Sequence, residues 1–247
     1  MYHYVITGSC DGSERLYVPS GRKKGPDIRE SELAIVGLPV YAGRLPNLLL
    51  NYLTTWQSNG AWAVPVVVYG NRSYGNALVE LYDILRYRGF HPIAAAAFVG
   101  QHSFTTRLAT GRPDREDLEK AEQFSAEIVR RILQPGEFTG IKIPGQGAPD
   151  YGGYYKPKGR DEEVVNFLKA KPVTTDACID CRRCAKVCPM GAIRLDHPSE
   201  VSGICIKCNA CVKQCPVHAK QLTDEAYLSH VGFLENRYTS RARIELF

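Results

Sequence analysis

The sequence predicts an α/β fold on a doubly wound parallel sheet, followed by a smaller cysteine-rich domain. Three observations carry this. Strand-sized apolar runs alternate with amphipathic stretches from Tyr2 to about Leu133. Three of those runs are apolar almost throughout, as parallel strands covered on both faces must be. Eight of the nine cysteines fall between Cys178 and Cys215, and only Cys10 stands apart.

The candidate strands are Tyr4–Ile6, Leu33–Leu38, Val64–Tyr69 and Ile93–Val99. Between the second and third, LPNLLLNYLTTW reads as a helix with Pro46 near its first turn. Ala77, Leu78, Leu81, Ile84 and Leu85 share one face of a second helix, and Gly89 follows as its stop. A third helix starts near Asp114. Leu118, Ala121, Phe124, Ser125, Ile128, Val129 and Ile132 recur in it at helical spacing, and REDLEKAE supplies a solvated face. After Leu133 the chain turns rich in Gly, Pro and Tyr, which forbids a long helix, although its tyrosines suit packing. DEEVVNFLKA, Asp161 to Ala170, reads as a short helix, and Lys220 to Phe247 as a tail without ligands. The expected division is 1–138 for the α/β domain, 139–171 for a linker, 172–222 for the cysteine domain and 223–247 for the tail.

Composition narrows the function. With 44% apolar and 23% charged residues the chain is ordinary globular protein, which excludes wholesale disorder. A net charge of +5 is too mild to argue for nucleic acid. No apolar run approaches the roughly 18 residues that span a bilayer, and no basic segment followed by an apolar one opens the chain. The expectation is a cytoplasmic protein with no nucleic-acid partner and no membrane insertion, where thiols stay reduced and clustered cysteines hold metal.

The cysteine block is an internal repeat. CIDCRRCAKVCPMGAI starts at Cys178 and CIKCNACVKQCPVHAK at Cys205, 27 positions later, each of the form C-x2-C-x2-C-x3-C-P. Three thiolates at spacing two wrap one face of a cubane, and the fourth, followed by proline, ligates the other cluster. The expected sets are Cys178, Cys181, Cys184 and Cys215 for one [4Fe–4S] cluster, and Cys205, Cys208, Cys211 and Cys188 for the second. Pro189 and Pro216 fix the exit direction. Zinc is the competing reading, since C-x2-C pairs also build zinc ribbons, but those need four ligands per ion and a long gap between pairs. Arg182, Arg183, Lys186, Lys207 and Lys213 either offset cluster charge or simply solvate a small domain. With all eight ligands and both prolines in place, residues 172–222 resemble the bacterial two-cluster ferredoxins. The resemblance implies a pseudo-symmetric α+β domain that passes single electrons at low potential.

In an open α/β sheet, ligands sit beyond the carboxyl ends of the strands. The segments there are Gly37–Asn47, Tyr69–Ala77 and Phe98–Phe104. The first two are rich in Gly and Tyr with Asn and Arg donors, which suits a planar heteroaromatic ligand; the same residues are also common in turns that bind nothing. AIVGLPVYAGRLPNLL and VPVVVYGNRSYGNALVEL, followed by GRPDREDLEKAEQF, IPGQGAPDY and the cysteine block, resemble the flavodoxin–ferredoxin fusion family in that order. The resemblance implies a flavodoxin-like fold and FMN. Pro39, Val40, Tyr41, Ala42 and Gly43, with Tyr69, Gly70, Asn71, Arg72, Tyr74 and Asn76, would then lie against the isoalloxazine. The first 30 residues depart from that family. TGSCDGSE (Thr7–Glu14) stands where a phosphate loop belongs, but Pro19, Gly21, Gly25 and Pro26 forbid the long helix that should follow. Arg15, Arg22, Lys23 and Lys24 are either substitutes for that helix or a solvated loop. Cys10 reads as a bystander and His102 as a structural histidine.

The function expected is low-potential electron transfer through two [4Fe–4S] clusters, coupled to FMN and serving a redox partner protein. Two alternatives stand beside it: a flavin-dependent oxidoreductase acting on a small substrate with the ferredoxin domain as internal wire, and a non-enzymatic docking module whose flavodoxin-like domain is empty.

Overall fold

The computed structural model describes residues 25–134, 140–148 and 150–247, together with the backbone of Val5–Gly8 and Glu14–Tyr17. Cys10, Arg22, Lys23, Lys24 and most of Thr7–Glu14 lie outside the described residues. In chain order the elements are β1 (Val5–Gly8), β2 (Glu14–Tyr17), β3 (Asp27–Ile28), β4 (Leu33–Pro39), α1 (Asn47–Leu53), β5 (Gln57–Ser58), β6 (Trp62–Tyr69), α2 (Ala77–Tyr87), β7 (His91–Pro92), β8 (Ala96–Val99) and α3 (Arg115–Leu133). There follow β9 (Val173–Thr174), α4 (Arg183–Lys186), α5 (Ala210–Lys213), β10 (Lys220–Gln221), α6 (Glu225–Arg237) and β11 (Glu245–Leu246). Among the described residues no helix is long and apolar enough to cross a membrane.

The chain divides into two compact units, and each is drawn from separated stretches of sequence. His102–Leu108 and Lys156–Thr239 form the cysteine unit; the described residues up to Gln101, with Ala109–Tyr155 and Ser240–Phe247, form the α/β unit. Residues 139–171 and 223–247 are each shared between the two.

The α/β unit has a sheet in the order β11-β8-β6-β4-β1-β2, with β7 also beside β6. Strands β4, β6 and β8 are parallel, from Leu33↔Trp62 to Pro39↔Val68 and from Val66↔Ala96 to Tyr69↔Val99. The expected all-parallel sheet is corrected at its flanks. Strand β1 pairs antiparallel with both β2 and β4, and β11 antiparallel with β8. For β1 and β2 the reason is chain length. Five residues separate Gly8 from Glu14, and a parallel crossover needs a dozen or more.

Side chains on the central strands alternate between faces. Val36, Leu38, Val67, Tyr69, Ala97 and Val99 join α1 and α2 in one core through Leu53, Leu78, Leu81 and Leu85. Ile35, Val64, Val66, Ala96 and Phe98 face Phe124 and Ile128 of α3 in the other. The two successive crossovers step in the same direction along the sheet, so right-handedness puts both helices on one side. Within α3, Leu118 and Val129 are exposed although the sequence pattern placed them on the apolar face. Phe124, Ile128 and Ile132 lie on one i, i+4 line, and Leu118 and Val129 fall off it.

In the cysteine unit the short helix expected over Asp161–Ala170 does not form. Lys158 and Val164 make a bridge across a turn with Glu162 left-handed, at φ 65°. The stretch read as tail contains α6 instead. Asp224 caps it by accepting from the Tyr227 N–H at 2.9 Å, and Tyr227, His230, Phe233 and Leu234 are buried.

Candidate metal centre

The repeat in sequence is a repeat in backbone. The residues two, four and thirteen positions after the first cysteine of each copy are left-handed: Asp180, Arg182 and Gly191 at φ 53°, 59° and 57°, and Lys207, Asn209 and His218 at 55°, 58° and 54°. Two such reversals curl each C-x2-C-x2-C run into a tight turn before α4 and α5, which carry Cys184 and Cys211. The fourth cysteine is held alike in both copies, Cys188 Sγ accepting from the Ala192 N–H at 3.3 Å and Cys215 Sγ from the Ala219 N–H at 3.2 Å. Pairing of Thr174 with Lys220 and of Val173 with Gln221 closes the two ends of the repeat together.

Two cavities result. One is lined by Cys178, Cys181, Cys184 and Cys215; the other by Cys205, Cys208, Cys211 and Cys188. Each gathers three cysteines of one copy and the fourth of the other. Among the described residues, which include all eight of these cysteines, no three His, Cys, Asp or Glu side chains are placed to share a single metal ion. A zinc ion needs its four ligands at about 2.0–2.3 Å from one centre, whereas a [4Fe–4S] cubane spreads its four thiolates over four irons. The donor set fits the cubane.

The cavities differ in shielding. Cys178 and Cys181 are exposed, Cys184 and Cys211 are buried, and Cys188, Cys205, Cys208 and Cys215 are half-buried. Burial pushes the Cys184 and Cys208 thiols up, and that of Cys211 up to about 12. A bound cation reverses this logic and deprotonates a coordinating thiol. Cys215 moves the other way: burial raises it, but N–H groups at Lys220, Val217, Ala219 and His218 together outweigh that and lower it.

Of the basic residues read from sequence, Lys207 donates to the Leu168 carbonyl and to the Cys205 carbonyl at 3.1 Å. Lys213 donates to the His102 carbonyl at 2.6 Å. The lysine whose charge favours the thiolates of Cys184 and Cys211 is Lys220, buried in β10 and overlooked in the sequence. Its one signal was strand alternation against exposed Gln221.

The flavin-loop residues sit at the carboxyl ends of β4 and β6 and are engaged by the chain itself. Asn71 Nδ2 donates to the Ser240 carbonyl at 2.9 Å, and its Oδ1 accepts from the Ala242 N–H at 3.1 Å. The Tyr69 hydroxyl donates to the Arg243 carbonyl and that of Tyr74 to Glu245, both at 2.7 Å. Asn76 Nδ2 donates to the Tyr151 carbonyl, and the Arg72 guanidinium lies 4.0 Å over the Tyr155 ring. Val40 and Tyr41 spend their N–H groups on Val68 and Arg44, and Ala42 and Gly43 accept from Tyr155 and Asn76 through their carbonyls. Pro39 closes β4, and Gly70 accepts from the Arg72 N–H. The third loop, beyond β8, passes into the cysteine unit, where the His102 Nδ1 accepts from the Phe104 N–H at 3.1 Å.

A family model described as a 4Fe-4S dicluster domain matches residues 177–220. This part of the chain is a 4Fe-4S ferredoxin domain. No curated protein matches the chain. The dicluster match takes in all eight clustered cysteines and both prolines, and it stops short of α6 and of the α/β unit.

Proposed function

We propose that this chain carries electrons one at a time through two [4Fe–4S] clusters, the first on Cys178, Cys181, Cys184 and Cys215, the second on Cys205, Cys208, Cys211 and Cys188. The observation that supports it most is the crosswise lining of the two cavities. Bound cubanes supply one-electron chemistry at low potential. The chain supplies the thiolates, the left-handed turns that fan them out and the buried Lys220 charge beside Cys184 and Cys211. No side chain needs to move a proton. The exposed edge at Cys178 and Cys181 is the side open to a redox partner protein.

Protein purified without air is expected to hold about eight iron and eight inorganic sulfide per chain; stoichiometric zinc without iron–sulfur absorption overturns the reading. Cys188→Ala is expected to damage the cluster of Cys205, Cys208 and Cys211, with Cys10→Ala leaving both intact. Loss confined to the cluster of Cys178, Cys181 and Cys184 would mean ligation within each copy instead.

Coupling to FMN in a flavodoxin-like unit is the larger form of this reading. The described residues do not fit the ring: the side chains meant to meet it are already bonded to residues 151–155 and 240–245. Flavin analysis of the same preparation tests this, and stoichiometric FMN would restore the coupled form.

A further inference from the structure

Among the described residues of the cysteine unit, the amide of Asn209 has a buried side-chain atom with no hydrogen-bond partner. Asn209 is 4% exposed and lines the cavity of the second cysteine set. Its Nδ2 lies 2.6 Å from the Tyr227 hydroxyl and 3.3 Å from the Ser103 carbonyl, while its Oδ1 is buried with no partner. An orphaned buried acceptor costs about 1–3 kcal/mol. Beside an anionic cluster it would also be the wrong end of the dipole.

Turning the amide over removes both faults. The separation of 2.6 Å is ordinary for O–H···O and short for N–H···O. In the turned state Tyr227 donates to Oδ1 and gives up only its long contact to the Phe104 carbonyl at 3.4 Å. The contact to the Ser103 carbonyl is given up, and Oδ1 then faces that oxygen at about the same 3.3 Å, a cost that the bond from Tyr227 must offset. The amide N–H2 then occupies the place of the orphan, where a thiolate or sulfide of the cluster can accept from it. The same backbone position in the first copy is Arg182, an exposed guanidinium on the lining of the first cavity that also pairs with Asp180 at 3.4 Å, so the first cluster has no buried amide at this position.

We propose that Asn209 donates a hydrogen bond from its amide to a sulfur of the second cluster, and that Tyr227 is the positioning residue that holds the amide in this sense. The proposal rests on the two-cluster reading. A donor at cluster sulfur favours the reduced, more negative state and raises the potential. The second cluster is thereby easier to reduce than its own backbone would make it, and the first has no amide at the matching position.

The test is an anaerobic redox titration of the full chain followed by electron paramagnetic resonance, with iron and sulfide counted first. Asn209→Gly keeps the left-handed backbone and removes the amide. It is expected to lower the second cluster's potential by about tenfold in the reduction equilibrium, roughly 59 mV for one electron, leaving the first unchanged. Tyr227→Phe is expected to shift it in the same direction by less, and it carries the test should Asn209→Gly fail to hold clusters. A rise in potential in either variant means that Oδ1 faces the cluster, and no shift in either means that the amide is only structural; each overturns the proposal. Full-length protein without iron would overturn the cluster reading instead, so the two failures are distinct.

Discussion

Gly75 is the point at which two loops touch. Its φ is +53°, and a Cβ there would stand 2.5 Å from the Gly43 carbonyl oxygen, which itself accepts from the Asn76 N–H at 2.9 Å. Gly75→Ala is therefore expected to cost about 1–3 kcal/mol, seen as a lower unfolding temperature of the α/β unit with unchanged iron–sulfur absorption. How much of the site was legible residue by residue follows from similar considerations. The eight cysteines could be read because metal ligation demands one residue type at fixed spacing along a short stretch. Asn209 and Lys220 could not. Asn209 is buried by Ser103 and Tyr227, separated from it by 106 and 18 positions, and local sequence carries no record of such neighbours. The flavin-loop residues had the right chemistry for a ligand, but their donors had already found partners in a segment some 170 positions away.

At the scale of elements, α3 shows how a helix start secures more than itself. Asp114 and Asp117 form a reciprocal cap. Asp117 also takes the Arg112 guanidinium in a pair whose side chains are 1% and 3% exposed, while Arg241 reaches Asp114 at 2.7 Å. The Arg112 guanidinium holds the Asp117 carboxyl below the usual carboxylate range. A carboxylate with a lowered folded-state value stabilises above its ordinary value of 3.8 and loses that contribution as pH falls through the folded one. Asp117→Asn leaves Arg112 buried without its counter-charge, so a loss of about 3–5 kcal/mol at neutral pH is expected. Far-UV circular dichroism against pH should also show a shallower acid limb than the parent's, the remainder being due to Asp114, held at about 2 by Arg241 and the Asp117 N–H. Periodicity made α2 and α3 legible. It missed α6, where Gly232 interrupts the pattern because a Cβ there would meet Arg160 Nε at 2.3 Å. It also misread residues 161–170, where a turn with left-handed Glu162 overrides the propensity of the sequence.

At the scale of the whole molecule, neither unit is one continuous stretch. The sheet's parallel centre was readable from strand–helix alternation; its antiparallel flanks were not, since β11 pairs with a strand 148 positions earlier, Glu245 with Ala97. Removing Ser240–Phe247 is expected to destabilise the α/β unit by several kcal/mol, because Tyr69, Asn71 and Arg112 all lose partners; burying one such unpaired group already costs about 1–3 kcal/mol. Iron and sulfide should persist, as those eight residues are not part of the cysteine unit. A drop in cluster content equal to the loss of fold would disprove that independence. The same pairing sets an order of events on the ribosome. At roughly 5–20 residues per second, β11 emerges some 7–30 s after its partner β8, and after every cysteine ligand has been made. For that interval the outer edge of β8 is an open strand of the kind that recruits other chains, so a nascent sheet must be kept from its neighbours while the metal domain is being synthesised.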